Sequence, residues 1–308
     1  MDNKKIKIVI SGIGAVGGYY GGMLAAFYKN SEDVEIIFIS RGANLDKIRK
    51  EGLMIEMSDK KIVAVPMLVT DKPESAGVAD YLICCTKSYD LDDNLKELEP
   101  VIGQQTIILP LLNGVNISEH IRTLLPGNDV WEGCVYIGAR LREPGVVSLF
   151  SNKEMLFFGG KEDHDRQKQF VKILTDAGIN AVNPEDITVR IWKKFFMISI
   201  AATITAYYDD NIGNVLKNHS DDFDSLGREL LNVARAKGID LPADIIDKSV
   251  KAQSMMPVGA TTSMHTDFKK GGRNELETLT GYVVHSAADM GISAPLYTAM
   301  YQALKKKL

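Results

Sequence analysis

Up to about Phe158 the chain alternates short runs of β-branched and aromatic residues with segments whose apolar positions recur at helical spacing. This is the pattern of a mostly parallel sheet covered by helices. Strands are predicted over Ile6–Ile10, Val34–Ser40, Tyr81–Cys85, Thr106–Leu109 and Val130–Ile137. Two later runs, Val146–Phe150 and Met155–Gly159, flank the polar stretch Ser151-Asn152-Lys153 and read as an antiparallel hairpin added to the parallel set. Beyond about Asp163 the period becomes helical: Gln167–Ala177, then Ile187–Tyr208 after the turn Asn183-Pro184-Glu185-Asp186, then Asp222–Lys237, Ala243–Gln253 and Asn274–Met290. Glycine and proline punctuate these segments at Gly238, Pro257, Gly271-Gly272 and Gly291. The expectation is an α/β domain over residues 1–185 followed by an all-α C-terminal domain over residues 186–308.

Chemistry enters directly after the first strand, where Gly12-Ile13-Gly14-Ala15-Val16-Gly17 opens a helix. Glycines spaced in this way are common by chance, but between a strand and a helix each has a task. Gly12 permits the tight turn, Gly14 lets a pyrophosphate approach the backbone, and Gly17 allows the helix to lie close to the strand. The first-turn amides, with Ala15 and Val16 among them, then face the phosphates. The N-terminal half is therefore expected to be an α/β Rossmann-type dinucleotide-binding domain. After the second strand, where an NAD enzyme presents an acid to the ribose hydroxyls, this chain has Ser40-Arg41. A guanidinium pairs with a 2′-phosphate in two-pronged fashion, which favours NADP(H) over NAD(H).

Two further segments follow strands of the same set: Thr86-Lys87-Ser88 and Leu112-Asn113-Gly114-Val115. Ligands of open α/β sheets bind at such carboxyl ends. Lys87 is a candidate for a phosphate, a substrate carboxylate or the nicotinamide region, and Asn113 for the nicotinamide ribose or amide. Taken alone, each also reads as an ordinary turn or helix-start residue.

The ordered set Gly12-Ile13-Gly14-Ala15-Val16-Gly17, Ser40-Arg41-Gly42, Cys85-Thr86-Lys87, Leu112-Asn113-Gly114, Ile191-Trp192-Lys193-Lys194 and Asn274-Glu275-Leu276 resembles the ketopantoate reductases (2-dehydropantoate 2-reductases) over nearly the whole chain. The resemblance implies NADPH-dependent reduction of 2-dehydropantoate to pantoate, on the way to pantothenate. It implies that Lys194 is the catalytic lysine, Glu275 its acidic partner near the substrate, and Ser263 a contact of the substrate carboxylate. Lys87 and Asn113 fall where the family lines the junction of cofactor and substrate. Periodicity does not choose between Lys193 and Lys194, since both lie on apolar helical rows; the choice rests on the resemblance. Hydride delivered to a 2-oxo carbon leaves a developing alkoxide, which a positioned lysine both stabilises and protonates.

One departure bears on substrate. Where the family carries asparagines one and two turns beyond the lysine, this chain has Ile198 and Ala202. Two amides that would bond a polar headgroup are missing. Ser199, Thr203 and His265 are candidates to replace them. The alternative readings are a related NADP-dependent dehydrogenase acting on a less polar oxo or hydroxy acid, or an NADP-binding sensor without turnover.

Composition narrows the partners. With 45% apolar and 25% charged residues and a formal charge of −4, the chain lacks the basic stripe of a nucleic-acid binder. The Lys305-Lys306-Lys307 run reads as a solvated helix end. The N-terminus leads straight into a strand, and the uncharged run from Phe195 to Tyr208 falls short of the roughly 20 residues that cross a bilayer. A cytoplasmic enzyme without membrane contact is expected, acting on a small 2-oxo acid, with a homodimer as the candidate assembly. Cys84, Cys85 and Cys134 read as small hydrophobes, and no His or Cys spacing suggests a metal.

Overall fold

The computed structural model describes residues 5–151, 153–160 and 164–308. Its strands are β1 (Ile6–Ser11), β2 (Val34–Ile39), β3 (Leu53–Glu56), β4 (Lys61–Ala64), β5 (Leu68–Thr70), β6 (Tyr81–Cys84), β7 (Ile107–Pro110), β8 (Glu132–Tyr136), β9 (Ala139–Glu143), β10 (Val146–Leu149), β11 (Met155–Gly159) and β12 (Ala181–Val182). The chain divides into two compact units, one holding the sequence through Leu112 together with Asn116–Ile187, the other Asn113–Val115 together with Thr188–Leu308.

The first unit is built on a parallel sheet in the order β5-β2-β1-β6-β7. Alternate residues of β1 serve opposite faces: Ile8 and Ile10 join one buried cluster, with Tyr20, Leu24 and Phe170, while Val9 joins another with Leu91, Leu95 and Ile121. A sheet covered on both faces needs apolar residues at every position, which is why its strands read as continuous apolar runs. The helices of this unit are α1 (Ala15–Phe27), α2 (Gly42–Glu51), α3 (Leu91–Glu97), α4 (Ile117–Leu124) and α5 (His164–Asp176). The strand order reverses between β1 and β6, so their carboxyl ends form the crevice where such sheets bind ligands.

Two small sheets complete the unit, β4-β3-β10-β9 and β12-β11-β8. They correct the expected hairpin. Val146–Leu149 pairs with β3 in parallel and β9 antiparallel, whereas Met155–Gly159 pairs with β8 antiparallel and β12 in parallel. The hairpin partner of β10 is β9, turned at Pro144-Gly145, where Gly145 has φ +76°. β9, Ala-Arg-Leu-Arg-Glu, is a mostly exposed and charged edge strand, so it lacks the apolar alternation by which a strand is recognised. Asn152, in the supposed turn, lies outside the described residues. The run predicted over Val130–Ile137 likewise leaves the parallel set: apart from one bridge between Val130 and Ile108, it forms β8 in the third sheet.

The second unit contains only helices among its described elements: α6 (Ile187–Tyr208), α7 (Ile212–Asn218), α8 (Ser220–Ala236), α9 (Ile245–Ser254), α10 (Ser263–Lys269), α11 (Tyr282–Asp289) and α12 (Pro295–Lys305). A π-helical turn, Glu277–Gly281, runs directly into α11. The core gathers around α6, where Phe195, Phe196, Ile200 and Ile204 meet Phe223, Leu230, Val283 and Tyr297. The amides of Leu296 and Tyr297 at the start of α12 donate to the buried Glu229 carboxylate, at 2.9 Å each, which satisfies two of the donors a helix start leaves open. No helix among the described residues is long and apolar enough to cross a membrane.

Candidate active site

In the first unit, the chain leaves β1 at Gly12 with φ +86°, and a Cβ there would lie 2.6 Å from the Thr86 amide nitrogen. A Cβ on Gly17 would stand 2.3 Å from the Gly12 carbonyl oxygen and 2.9 Å from Cys85 Cβ. Both positions require glycine for close approach, so the strand and α1 meet with backbone against backbone. Gly14, at the N-cap of α1, differs: a Cβ would meet nothing within 4 Å. It faces a cleft of about 550 Å³ lined by Gly12, Ile13, Gly14, Ser40, Arg41, Asn44, Thr86 and Lys87, with Asp90 just before α3 and Asp93, Asn94 and Glu97 on it.

Several observations fit this cleft to a dinucleotide. The first-turn amides of α1, including those of Ala15 and Val16, have no carbonyl one turn earlier to receive them. Gly14 leaves its own approach open. Thr86 Oγ1, also in the lining, is buried without a hydrogen-bond partner, a state that normally signals a ligand or water. Lys87 directly precedes the short turn Ser88–Asp90, and Arg41 precedes α2 with extended backbone. The Arg41 guanidinium is ion-paired with Glu97. Asn44 holds the turn from behind, donating to the Ile13 carbonyl at 2.8 Å and to Ser40 Oγ at 3.2 Å while accepting from the Gly145 amide at 2.7 Å. Asn94 similarly accepts from Ser11 Oγ at 3.0 Å. Sequence reasoning missed Asn44, Asn94 and Glu97, because each looks like any polar residue of a surface helix.

The second unit holds the other cluster. Asn113-Gly114-Val115 packs with this unit although it follows β7. Lys194 Nζ donates to Asn113 Oδ1 at 2.9 Å, and Asn113 Nδ2 donates to Glu275 Oε2 at 3.4 Å. Glu275 is 2% exposed and Lys194 half-buried. Three candidates separated widely in sequence are thus joined through one amide. Lys193, the alternative lysine, is also half-buried.

Ser263 begins α10 and is exposed. The preceding Thr262 caps that helix, accepting from the His265 amide, and its Oγ1 lies 3.0 Å from Thr205 Oγ1 on α6. Lys194, Ile198, Ala202 and Thr205 follow one another at helical spacing, so one face of α6 runs from the lysine to the anchor of the Ser263 segment. Between those ends the face offers the half-buried Ile198 and the buried Ala202.

The candidates to replace the missing amides are engaged elsewhere. Ser199 Oγ donates to the Leu279 carbonyl at 2.9 Å and lies 2.9 Å from Tyr297 Oη; Thr203 Oγ1 lies 2.7 Å from Thr280 Oγ1. Both side chains are fully buried and fasten α6 to the π-turn that follows Glu275. His265, 3% exposed, engages Asp209 through Nε2 at 2.7 Å and Thr261 through Nδ1. That contact holds the Asp209 carboxyl below its usual range, with Lys269 adding to the effect. Cys84 and Cys85 have their thiols pushed up by burial, which suits packing and not nucleophilic attack. Among the described residues no three His, Cys, Asp or Glu side chains gather as a metal site would require.

Comparison with known proteins covers both units. The family model described as ketopantoate reductase PanE/ApbA matches residues 8–160, and the one described as its C terminal matches residues 186–308. The chain is similar to a 2-dehydropantoate 2-reductase of Porphyromonas gingivalis W83, whose crystal structure is 41% identical with a TM-score of 0.87, over 98% of this chain and 100% of that one. It is also similar to a 2-dehydropantoate 2-reductase of Pyrococcus horikoshii, 29% identical over 98% of this chain and 97% of that protein. An uncharacterised oxidoreductase of Bacillus subtilis (strain 168) is 25% identical, over 97% of this chain and 98% of that protein.

Proposed function

The chain belongs to the ketopantoate reductase family, oxidoreductases that act on CH–OH donors and use NADPH, and from that premise we propose that it reduces a 2-oxo acid, with 2-dehydropantoate as the leading substrate and pantoate as the product. In this reading residues 1–185 bind NADPH and residues 186–308 supply the catalytic and substrate groups. Gly14, Ala15 and Val16 receive the pyrophosphate on the cofactor-binding turn that Gly12 and Gly17 shape, Arg41 meets the 2′-phosphate, and Lys87 and Asn113 serve both cofactor and substrate.

NADPH, when bound, supplies the hydride that reaches the carbonyl carbon. The chain's own residues must then neutralise the oxygen and hold the acid. Lys194 gives its Nζ proton to the forming alkoxide, a general-acid step worth about 10²- to 10⁴-fold. Asn113 Oδ1 accepts a hydrogen bond from Nζ and so fixes the direction of the ammonium. Glu275, buried and bonded to the other end of that amide, keeps positive charge favourable at this place and is suited to accept from a substrate hydroxyl. Ser263 binds the carboxylate. The observation that carries the reading is the bond between Lys194 Nζ and Asn113 Oδ1 at 2.9 Å, continued to Glu275. Lys194→Ala, assayed as NADPH oxidation with 2-dehydropantoate, tests it: a loss of about 100-fold or more is expected of a general acid.

A second reading, reduction of a less polar 2-oxo acid, is favoured by Ile198 and Ala202 on the face of α6 that carries Lys194. Comparing kcat/KM for 2-dehydropantoate with that for the same acid lacking the hydroxyl separates the two. A preference for the hydroxylated acid supports the first reading, and the reverse supports the second.

A further inference from the structure

One wall of the cleft in the first unit is acidic. Asp90, Asp93, Asn94 and Glu97 recur at i, i+3, i+4 and i+7 and line it together, opposite a turn that would receive phosphates. Asp93 belongs to the first turn of α3, where a carboxylate is favoured by the helix dipole. Glu97 is the last residue of α3, where the same dipole disfavours a carboxylate. What it gains there is Arg41, whose guanidinium it pairs with. The two side chains are 61% and 46% exposed, so the pair is open to exchange.

We propose that Glu97 tunes the cofactor preference of this protein, by competing with the ribose 2′-phosphate for Arg41 and by offering the free ribose hydroxyls of NADH an acceptor. The inference rests on the reading of Arg41 as the partner of the 2′-phosphate. Enzymes that use NAD place an acid beside the ribose, and those that use NADP place an arginine; this cleft holds one of each, in contact. When NADPH binds, its phosphate must take Arg41 from Glu97 and leave that carboxylate near added negative charge. When NADH binds, no phosphate contests the pair, and the carboxylate can receive a hydroxyl proton. Glu97 thus narrows the gap between the two cofactors, and the acidic face of α3 acts in the same direction.

The test is a double-mutant cycle on the full chain, with Kd for NADPH and NADH measured by titration of cofactor fluorescence for the wild type, Arg41→Ala, Glu97→Gln and the double variant. Glu97→Gln is expected to raise the preference for NADPH by about fivefold, the scale of one exposed ion pair, and by less in the Arg41→Ala background, where only the contact with the ribose hydroxyls remains. A Glu97→Gln variant with unchanged preference, beside an Arg41→Ala variant whose preference falls, overturns the role of Glu97 and leaves that of Arg41 standing. An unchanged preference in Arg41→Ala overturns both. An equal gain from Glu97→Gln with and without Arg41 also overturns the proposal, since Glu97 would then act without the guanidinium. A substitution that merely loosened α3 would weaken both cofactors alike and leave their ratio where it was, which again contradicts it.

Discussion

Lys194 and Asn113, 81 residues apart, meet through a hydrogen bond of 2.9 Å in which the amide oxygen receives the ammonium. The other end of the same amide donates to Glu275, so Asn113 has a defined orientation. Replacing Asn113 with alanine removes this contact of the lysine. We expect kcat to fall by about 10- to 100-fold, within the range of a misplaced proton donor, with KM for the 2-oxo acid changing less. Steady-state kinetics check this, and a variant that changed KM alone would assign Asn113 to binding.

Gly14 and Gly17 separate binding from stability. A methyl on Gly17 would meet the Gly12 carbonyl at 2.3 Å, while one on Gly14 would meet no atom within 4 Å. Gly17→Ala should therefore destabilise the fold by about 1–3 kcal/mol, the usual cost of overpacking, read as a lower midpoint in urea. Gly14→Ala should leave the midpoint within about 0.5 kcal/mol and weaken NADPH, because the methyl enters the cleft. Equal midpoints for the two variants would contradict the packing described.

These glycines also mark how far the sequence could be read. Gly12 and Gly17 are legible because close backbone approach admits no other residue, and α6 is legible because its apolar pattern spans a long, buried helix. Where one residue's neighbours decide the outcome, the sequence is silent. β9 is hidden by its own charges. The π-turn at Glu277–Gly281 sits inside Asn274–Met290, a stretch whose apolar period reads as one regular helix, and the extra residue per turn becomes visible only through the partners of Leu279 and Thr280. Glu97 shows nothing in sequence that distinguishes it from other helix-end acids; its meaning comes from Arg41.

Glu154 is 7% exposed and accepts from the amide nitrogen and Nδ2 of Asn180, each at 2.9 Å. Burial raises its carboxyl above the usual 4.5, with the Asn180 bonds opposing. A carboxyl raised on folding binds protons more tightly in the native state, so this residue's contribution to stability is greatest at low pH and falls as pH rises through the window above 4.5. Glu154→Gln keeps an oxygen for Asn180 and removes the titration. Its thermal midpoint should gain on that of the wild type as pH is raised from about 5 to about 7. A constant difference across that range would contradict the shift.

Asp209, at the end of α6, has φ +53° and accepts from His265. His265 in turn sits two residues beyond Ser263, on the helix capped by Thr262. If Ser263 holds the substrate carboxylate, loosening this attachment should act on substrate binding. His265→Ala is expected to raise KM for the 2-oxo acid by about tenfold, one hydrogen bond's worth, with a smaller effect on kcat. In the presence of His265, Asp209→Asn, whose side chain tolerates the left-handed backbone and still offers an oxygen to the imidazole, should keep KM near the wild-type value, whereas Asp209→Ala should raise it. Parallel behaviour of the two Asp209 variants would show that the contact with His265 does not position Ser263.

The proton donor is the centre of the account, and Lys194→Ala in a single-turnover experiment tests it most directly. Enzyme preloaded with NADPH is mixed with 2-dehydropantoate, and cofactor oxidation is followed while Kd for NADPH is measured separately. The account predicts a rate of hydride transfer lower by about 100-fold or more with cofactor affinity unchanged within about twofold. A rate within about tenfold of the wild type would contradict it.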